Sequence, residues 1–197
     1  MKKIIKGEYG YIAYARRMAI VRTVVMFVLC ASVFVIGYVT TGTRRNLLTI
    51  VAVLGCLPAS KSLVNVIMFM RAIGCSESAH ERIEEIIGDA RKAGTFLFAD
   101  AYDLYLTSYQ KNYPVSHVVA GRGMITGLCE VPGCEVSECE KHIAGHMQTD
   151  GFKDMTVKIY TDTDKYLARL KTLADMDAHE ADTSRHAMID TLKAIAL

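Results

Sequence analysis

TVVMFVLCASVFVIGYVT, Thr23 to Thr40, carries no charged side chain over 18 positions. A helix crossing a hydrocarbon core about 30 Å thick needs ~20 apolar residues, so this stretch reads as a membrane span. Lys2, Lys3, Lys6, Arg16, Arg17 and Arg22 precede it, which also suits a secretory signal. That reading fails on two points: the charged leader is long, and no small-x-small cleavage site opens onto a polar start. Instead TTGTRRN (40–46) makes a polar turn, and LLTIVAVLGCLPASKSLVNVIMFM (47–70) resumes the apolar character.

The expectation is a two-helix transmembrane hairpin over 23–72, behind a basic leader at 1–22. Pro58 is expected to kink the second helix. Lys61 is expected to snorkel, its stem in the acyl region and its ammonium among headgroups. Six cations precede the first span, two (Arg44, Arg45) fill the turn, and Arg71, Arg82, Arg91 and Lys92 follow the second. The positive-inside rule then places both termini in the cytoplasm of a bacterial inner membrane. Half of the residues are hydrophobic and the net charge is only +2, so a global field attracting nucleic acid is excluded. Of the six cysteines, Cys30 and Cys56 lie in apolar runs where no partner is expected. That argues against a disulfide framework and for reduced thiols.

Residues 76–197 read as a cytosolic α+β domain of order α-β-β-β-α-β-α-α. Ser78 and Glu81 have capping-box spacing ahead of a helical stripe (Ala79, Ile83, Ile86, Ile87, Ala90) that Gly94 ends. Period-two alternation through Tyr102, Leu104 and Leu106 predicts a strand at 102–108. Val115–Ala120 and Met124–Cys129 predict two more, joined by a Gly121-Arg122-Gly123 turn. Ser137 and Glu140 suggest a second capping box, opening a helix that ends by Gly151. Met155, Val157 and Ile159 mark a fourth strand. A helix with Tyr166, Leu170 and Leu173 on one face follows, then the polar run DAHEADTS (177–184), then a helix carrying Met188, Leu192 and Ile195.

The chemistry concentrates in CEVPGCEVSECEKHIAGH, Cys129 to His146. His142 and His146 have the i, i+4 spacing by which two imidazoles share an ion. Cys139 and His146 are ~10 Å apart in rise, too far for one zinc with bonds of ~2.0–2.3 Å. A zinc site would therefore need His142, His146 and a loop thiolate from Cys134 or Cys129. The spacing lacks a tight Cys-x2-Cys knuckle, and Cys139, Ile143 and Met147 share the side of a helix that packs on a sheet. Packing is the favoured reading, zinc the alternative. Asp100 and Asp103 read as solvated carboxylates at a strand end, TDTDK (161–165) as a helix N-cap, and His117 as a packed or edge histidine. No phosphate loop, nucleophile elbow or Ser/His/Asp pattern occurs.

A helix, three antiparallel strands, a helix and a fourth strand is the core order of restriction-endonuclease-like nucleases. SHVVAGRGMITGLCE (116–130) resembles the strand-turn-strand of nuclease-related (NERD-type) domains. That resemblance implies an Asp where Ser116 stands and a Glu-x-Lys across Gly127, Leu128 and Cys129, followed here by Glu130 with no lysine nearby. It therefore points to a non-catalytic relative. LPASKSLVNVIMFMR (57–71) resembles a segment of uncharacterised two-span membrane proteins of Gram-positive bacteria, which implies a membrane location and no assigned activity. The expected function is a membrane-anchored binding or scaffolding domain without a cofactor. Its partners would be the lipid bilayer and a protein partner or a second copy, not nucleic acid. The alternative is a tethered metal-dependent hydrolase or nuclease-like enzyme using His142 and His146.

Overall fold

The computed structural model describes residues 3–108, 111–175 and 183–197. The protein is α+β, with two long apolar N-terminal helices and a four-stranded mixed sheet flanked by helices. It forms two compact units, Ile12–Ala72 and a sheet-bearing unit of the residues up to Tyr11 with Ile73–Leu197. The basic leader is thus divided: its first part belongs to the sheet-bearing unit, and helix has begun by Tyr11.

In the first unit α1 (Tyr11–Thr41) and α2 (Leu47–Arg71) lie antiparallel along a seam with a seven-residue period. Arg16 Nε donates to Phe69 O at 3.0 Å. Seven residues on, the Thr23 and Ser62 hydroxyls hydrogen-bond at 2.7 Å, both buried. Seven further, Cys30 Sγ lies 3.0 Å from where a Cβ on Gly55 would stand. At the next step a Cβ on Gly37 would come within 2.7 Å of Leu48 Cβ. Small residues let the backbones approach, as membrane helix pairs require, and a strict heptad keeps the seam facing the partner helix.

Asn46 caps α2, its Oδ1 accepting from Thr49 N–H at 2.8 Å. At the far end Arg16 Nη2 donates to Ala72 O at 2.8 Å, supplying one of the bonds that a helix C-terminus leaves open. Pro58 lies inside α2, which runs on to Arg71. Cys30 and Cys56 are both free thiols, and Cys30 lies in the seam against Gly55.

The second unit holds α3 (Glu77–Ala93), β1 (Ala99–Thr107), β2 (Asn112–Gly121), β3 (Met124–Leu128), α4 (Val136–Thr149), β4 (Thr156–Tyr160), α5 (Thr163–Ala174) and α6 (Arg185–Ile195). The sheet order is β1-β2-β3-β4. The first three strands are antiparallel, and β4 runs parallel to β3 after the chain crosses through α4. One face packs against α4 and α6 through Cys139, Ile143, Met147, Met188 and Leu192. The other packs against α3 and α5 through Ile83, Ile87, Tyr166, Leu170 and Leu173.

Several local expectations change. The cap of α3 is Ser76 rather than Ser78, its Oγ accepting from Ala79 N–H. Ser137 does not cap α4; the cap position is Glu135, with no side-chain bond. Glu140 instead reaches the outer edge of β4, accepting from Ile159 N–H at 2.9 Å beside Lys158 at 3.4 Å. Most of 177–184 lies outside the described residues.

The largest change is in β1. Asp103 adopts φ 55°, in the left-handed region, and shifts the alternation by one residue. Tyr102 faces α3 and α5, whereas Leu104 and Leu106 face α4 and α6. Strand β2 shifts in step at Ser116, so Val115 and Val118 share a face while His117 turns to the other. The outer edge of β1 is covered too. Tyr102 N–H donates to Gly7 O and Leu197 N–H to Tyr105 O, both at 2.8 Å, and Leu106 bridges Ala196.

Mild thiol oxidation of the full chain in detergent micelles should join Cys30 to Cys56. After tryptic cleavage at Arg44 or Arg45, the two helices should stay linked until reductant is added. Fragments that separate without reductant would rule out the seam.

Candidate functional site

The face of the sheet under α3 and α5 carries a polar network that the sequence did not reveal. His117 sits in β2 with no solvent exposure. Its Nδ1 lies 2.6 Å from Tyr166 Oη of α5, also fully buried, and its Nε2 lies 3.6 Å from Asp100 Oδ2 of β1. Asp100 Oδ1 accepts from Arg91 Nη2 of α3 at 2.6 Å. Tyr102 Oη donates to Glu84 Oε1 at 2.8 Å, and Glu84 Oε2 lies 3.9 Å from Arg91 Nη1. The rings continue outward: Tyr102 packs on His117, His80 edges Tyr102, and Tyr9 stacks on His80 at 3.6 Å.

Nδ1 shares a hydrogen bond with the Tyr166 hydroxyl, whereas Nε2 is buried without a hydrogen-bond partner, the Asp100 carboxylate lying just beyond bonding reach. Burial pushes His117 below its ordinary range against the pull of Asp100. Burial also acts to raise Asp100, but His117 and Arg91 outweigh it and hold the carboxyl low. Burial, aided by Asp100, lifts the Tyr166 phenol well above its ordinary value. The resulting state is a neutral imidazole between a carboxylate and a protonated phenol. Asp100 and Arg91 also line a pocket of about 290 Å³ with Phe96, Arg185, His186 and Lys193.

Asp100 and Asp103 are therefore not solvated loop-end groups. Asp103 is buried in the strand, where Oδ1 accepts from Cys75 N–H at 2.7 Å. Its carboxylate occupies the space a Cβ on Gly74 would need. Beside it, Glu130 accepts from Ser76 N–H at 3.0 Å and Ser76 Oγ at 2.5 Å. The expectation for TDTDK is met: Asp162 caps α5, accepting from Asp164 and Lys165 N–H.

The residues expected to offer a metal site are not gathered in one place. His142 and His146 do meet on α4, ring centroids 4.7 Å apart, and line an open groove with Thr107, Ser108, Tyr113 and Glu138. His142 Nε2 is buried without a hydrogen-bond partner. Cys134 instead packs at the margin of the core. Cys139, Ile143 and Met147 are all buried against the sheet. Among the described residues, no three His, Cys, Asp or Glu side chains gather in a metal-binding group.

A further concavity of about 990 Å³ runs between α3 and α5. Ile86, Ala90, Leu167 and Ala168 lie in it, with Glu85, Asp89 and Lys171 among its charged residues. Comparison of the chain with family models, curated proteins and solved structures gave no match.

Because burial holds His117 neutral when folded, lowering the pH through its ordinary 6.5 protonates the unfolded chain first. Stability should therefore fall between pH 7 and 5.5, by up to ~1.4 kcal/mol per pH unit for each such group. Asp100 acts only at lower pH, since its folded form keeps its charge below 3.8. His142 is also depressed, by burial and then by His146, so two histidines contribute. Urea unfolding followed by near-ultraviolet tyrosine dichroism should show a shallower pH slope in His117→Gln, with the remainder from His142. An unchanged slope would contradict a neutral His117.

Proposed function

We propose that the protein is an integral membrane protein whose helical hairpin anchors a cytoplasmic binding or scaffolding domain, and that this domain does not catalyse. One observation carries the membrane reading. Every exposed large hydrophobic side chain among the described residues, except Ile5 and Ile73, lies on α1 or α2. Only 11% and 17% of their most apolar windows are buried. The core helix of a water-soluble protein would bury such a surface, because contiguous exposed apolar area is costly in water.

The dimensions agree. Thr23 to Thr41 covers ~28 Å of helix, close to the hydrocarbon thickness. The Thr23–Ser62 bond brings Arg22 and Lys61, both exposed, to similar height on the hairpin. That supports Lys61 as a headgroup-level residue. The topology is supported by bonds joining the segment before the hairpin to the domain after it. Gly7 O accepts from Tyr102, Lys6 Nζ donates to Ala196 O at 2.6 Å, and Tyr9 stacks on His80. Those contacts need both segments on one side of the bilayer, and the positive-inside rule names the cytoplasmic side.

The non-catalytic reading rests on what stands where a nuclease would hold metal. Ser116, Leu128 and Cys129 are buried, and a Cβ on Gly127 would lie 2.8 Å from Ile159 Cδ1. The nuclease-like alternative draws on the element order, on His142 and His146, and on Glu130. Both Glu130 oxygens, and Oδ1 of Asp103, are engaged with the chain at residues 75–76. The α3/α5 groove is the surface we assign to a partner.

Two experiments test this reading. A cysteine placed at Thr43 in an otherwise cysteine-free chain should react with an impermeant maleimide in intact cells, while one retained at Cys134 should react only after permeabilisation. The reverse pattern would overturn the topology. Purified full-length protein should leave single- and double-stranded DNA uncut with Mg²⁺ or Mn²⁺. Cleavage abolished by Glu130→Ala would establish the enzyme reading instead.

A further inference from the structure

The hairpin unit carries positive charge and no acid to balance it. Between Ile12 and Ala72 stand Arg16, Arg17, Arg22, Arg44, Arg45, Lys61 and Arg71, with no Asp or Glu among them. Arg16 is satisfied by the carbonyls of Phe69 and Ala72. Arg22 and Lys61 are both exposed, and neither has a hydrogen bond or ion pair among the described residues.

The Thr23–Ser62 bond fixes where these two cations lie. The hydroxyls meet across the seam at 2.7 Å. Arg22 precedes Thr23 and Lys61 precedes Ser62, and each step back turns a side chain by ~100° about its helix axis. Because the helices run antiparallel, both turns lead to the same side of the seam. Arg22 and Lys61 therefore flank one groove, about 3 Å apart in height. Asn65 joins them, four residues after Lys61 and so on the same stripe of α2. Its side chain is half-buried and makes no hydrogen bond to the described residues. Toward the turn the same side becomes apolar, with Met26 on α1 and Leu54 and Pro58 on α2.

We infer that Arg22, Lys61 and Asn65 form a site for the phosphodiester headgroup of an anionic phospholipid, an inference that rests on the membrane reading above. A guanidinium presents paired N–H donors that match two phosphate oxygens, and an ammonium adds a point charge. The Asn65 amide supplies a neutral donor. Selectivity follows from the missing carboxylates. A zwitterionic headgroup brings its own ammonium, which would meet two like charges and no acid. A glycerol headgroup brings only the phosphate charge. The acyl chains of that lipid lie along Met26 and Leu54, which a free phosphate ion could not use.

The chain contains no tryptophan, so Met26→Trp gives a single fluorescent reporter one helical turn from Arg22. The full-length reporter protein is reconstituted in phosphatidylcholine vesicles that hold a minor fraction of acyl-brominated phosphatidylglycerol or, separately, acyl-brominated phosphatidylcholine. Bromine quenches on contact, so the two curves compare the lipids at this groove. The anionic lipid should be preferred at least about fivefold, the worth of one cation at a bilayer surface. The preference should fall to near parity in Arg22→Gln/Lys61→Gln. It should persist in Arg17→Gln/Arg71→Gln, which removes equal charge from other sides of the hairpin. Exchange of chloride for inorganic phosphate at equal ionic strength should also leave it in place. Equal quenching by both lipids, an equal loss in Arg17→Gln/Arg71→Gln, or displacement by phosphate would each overturn the site while leaving the hairpin in the bilayer. A reporter that neither lipid quenches would overturn the membrane reading, and the site with it.

Discussion

One residue, Asp103, sets how the sheet presents its side chains. A left-handed conformation in mid-strand is uncommon outside glycine, and aspartate is among the residues that tolerate it. Here its carboxylate lies against Gly74 and binds the Cys75 N–H, so the backbone turn is held by a bond to another segment. The consequence spreads across two strands. With β1 shifted by one residue and β2 shifted in step at Ser116, Tyr102 and His117 both turn toward α3 and α5. The polar network therefore exists because of a backbone choice made at a neighbouring position. The same carboxylate fastens the chain that leaves α2, so sheet register and the entry to the domain depend on one side chain.

The elements were legible where local rules act alone. Helix periodicity located α3, α5 and α6, and the Gly121-Arg122-Gly123 turn fixed the β2–β3 hairpin with its neighbours. The face assignments of β1 were not legible, because period two assumes an unbroken strand and Asp103 breaks it. The two capping boxes were misplaced for a related reason. Ser78 and Ser137 match the spacing, but Ser76 lies at the real start of α3, and Glu140 is drawn away to the edge of β4. The Asp100–His117–Tyr166 group could not be read from sequence. Its members stand on three elements up to 66 residues apart in the chain, and none belongs to a local motif.

The hairpin shows a different limit. Its hydrophobicity announced two apolar helices, but nearly every position is apolar, so the pattern of apolar residues says nothing about which face meets the partner. The information lies in side-chain size. Thr23, Cys30 and Gly37 recur at seven-residue steps against Ser62, Gly55 and Leu48. Along this seam, close approach of the backbones and a buried hydroxyl pair hold the two helices together. The contact of Cys30 with Gly55 follows from that period.

The guarded edges of the sheet bear on how the protein can associate. An outer strand with free N–H and C=O groups is a template on which another chain can add a strand. Here β1 is covered by Gly7 on one stretch and by residues 195–197 on the next. On the opposite side β4 is only five residues long, and a carboxylate and a lysine interrupt it. Segments remote in sequence thus act as selvedges on one side, and charge does so on the other. A second copy or a foreign chain is steered away from backbone pairing and toward recognition by side chains, where sequence can decide which partner is accepted.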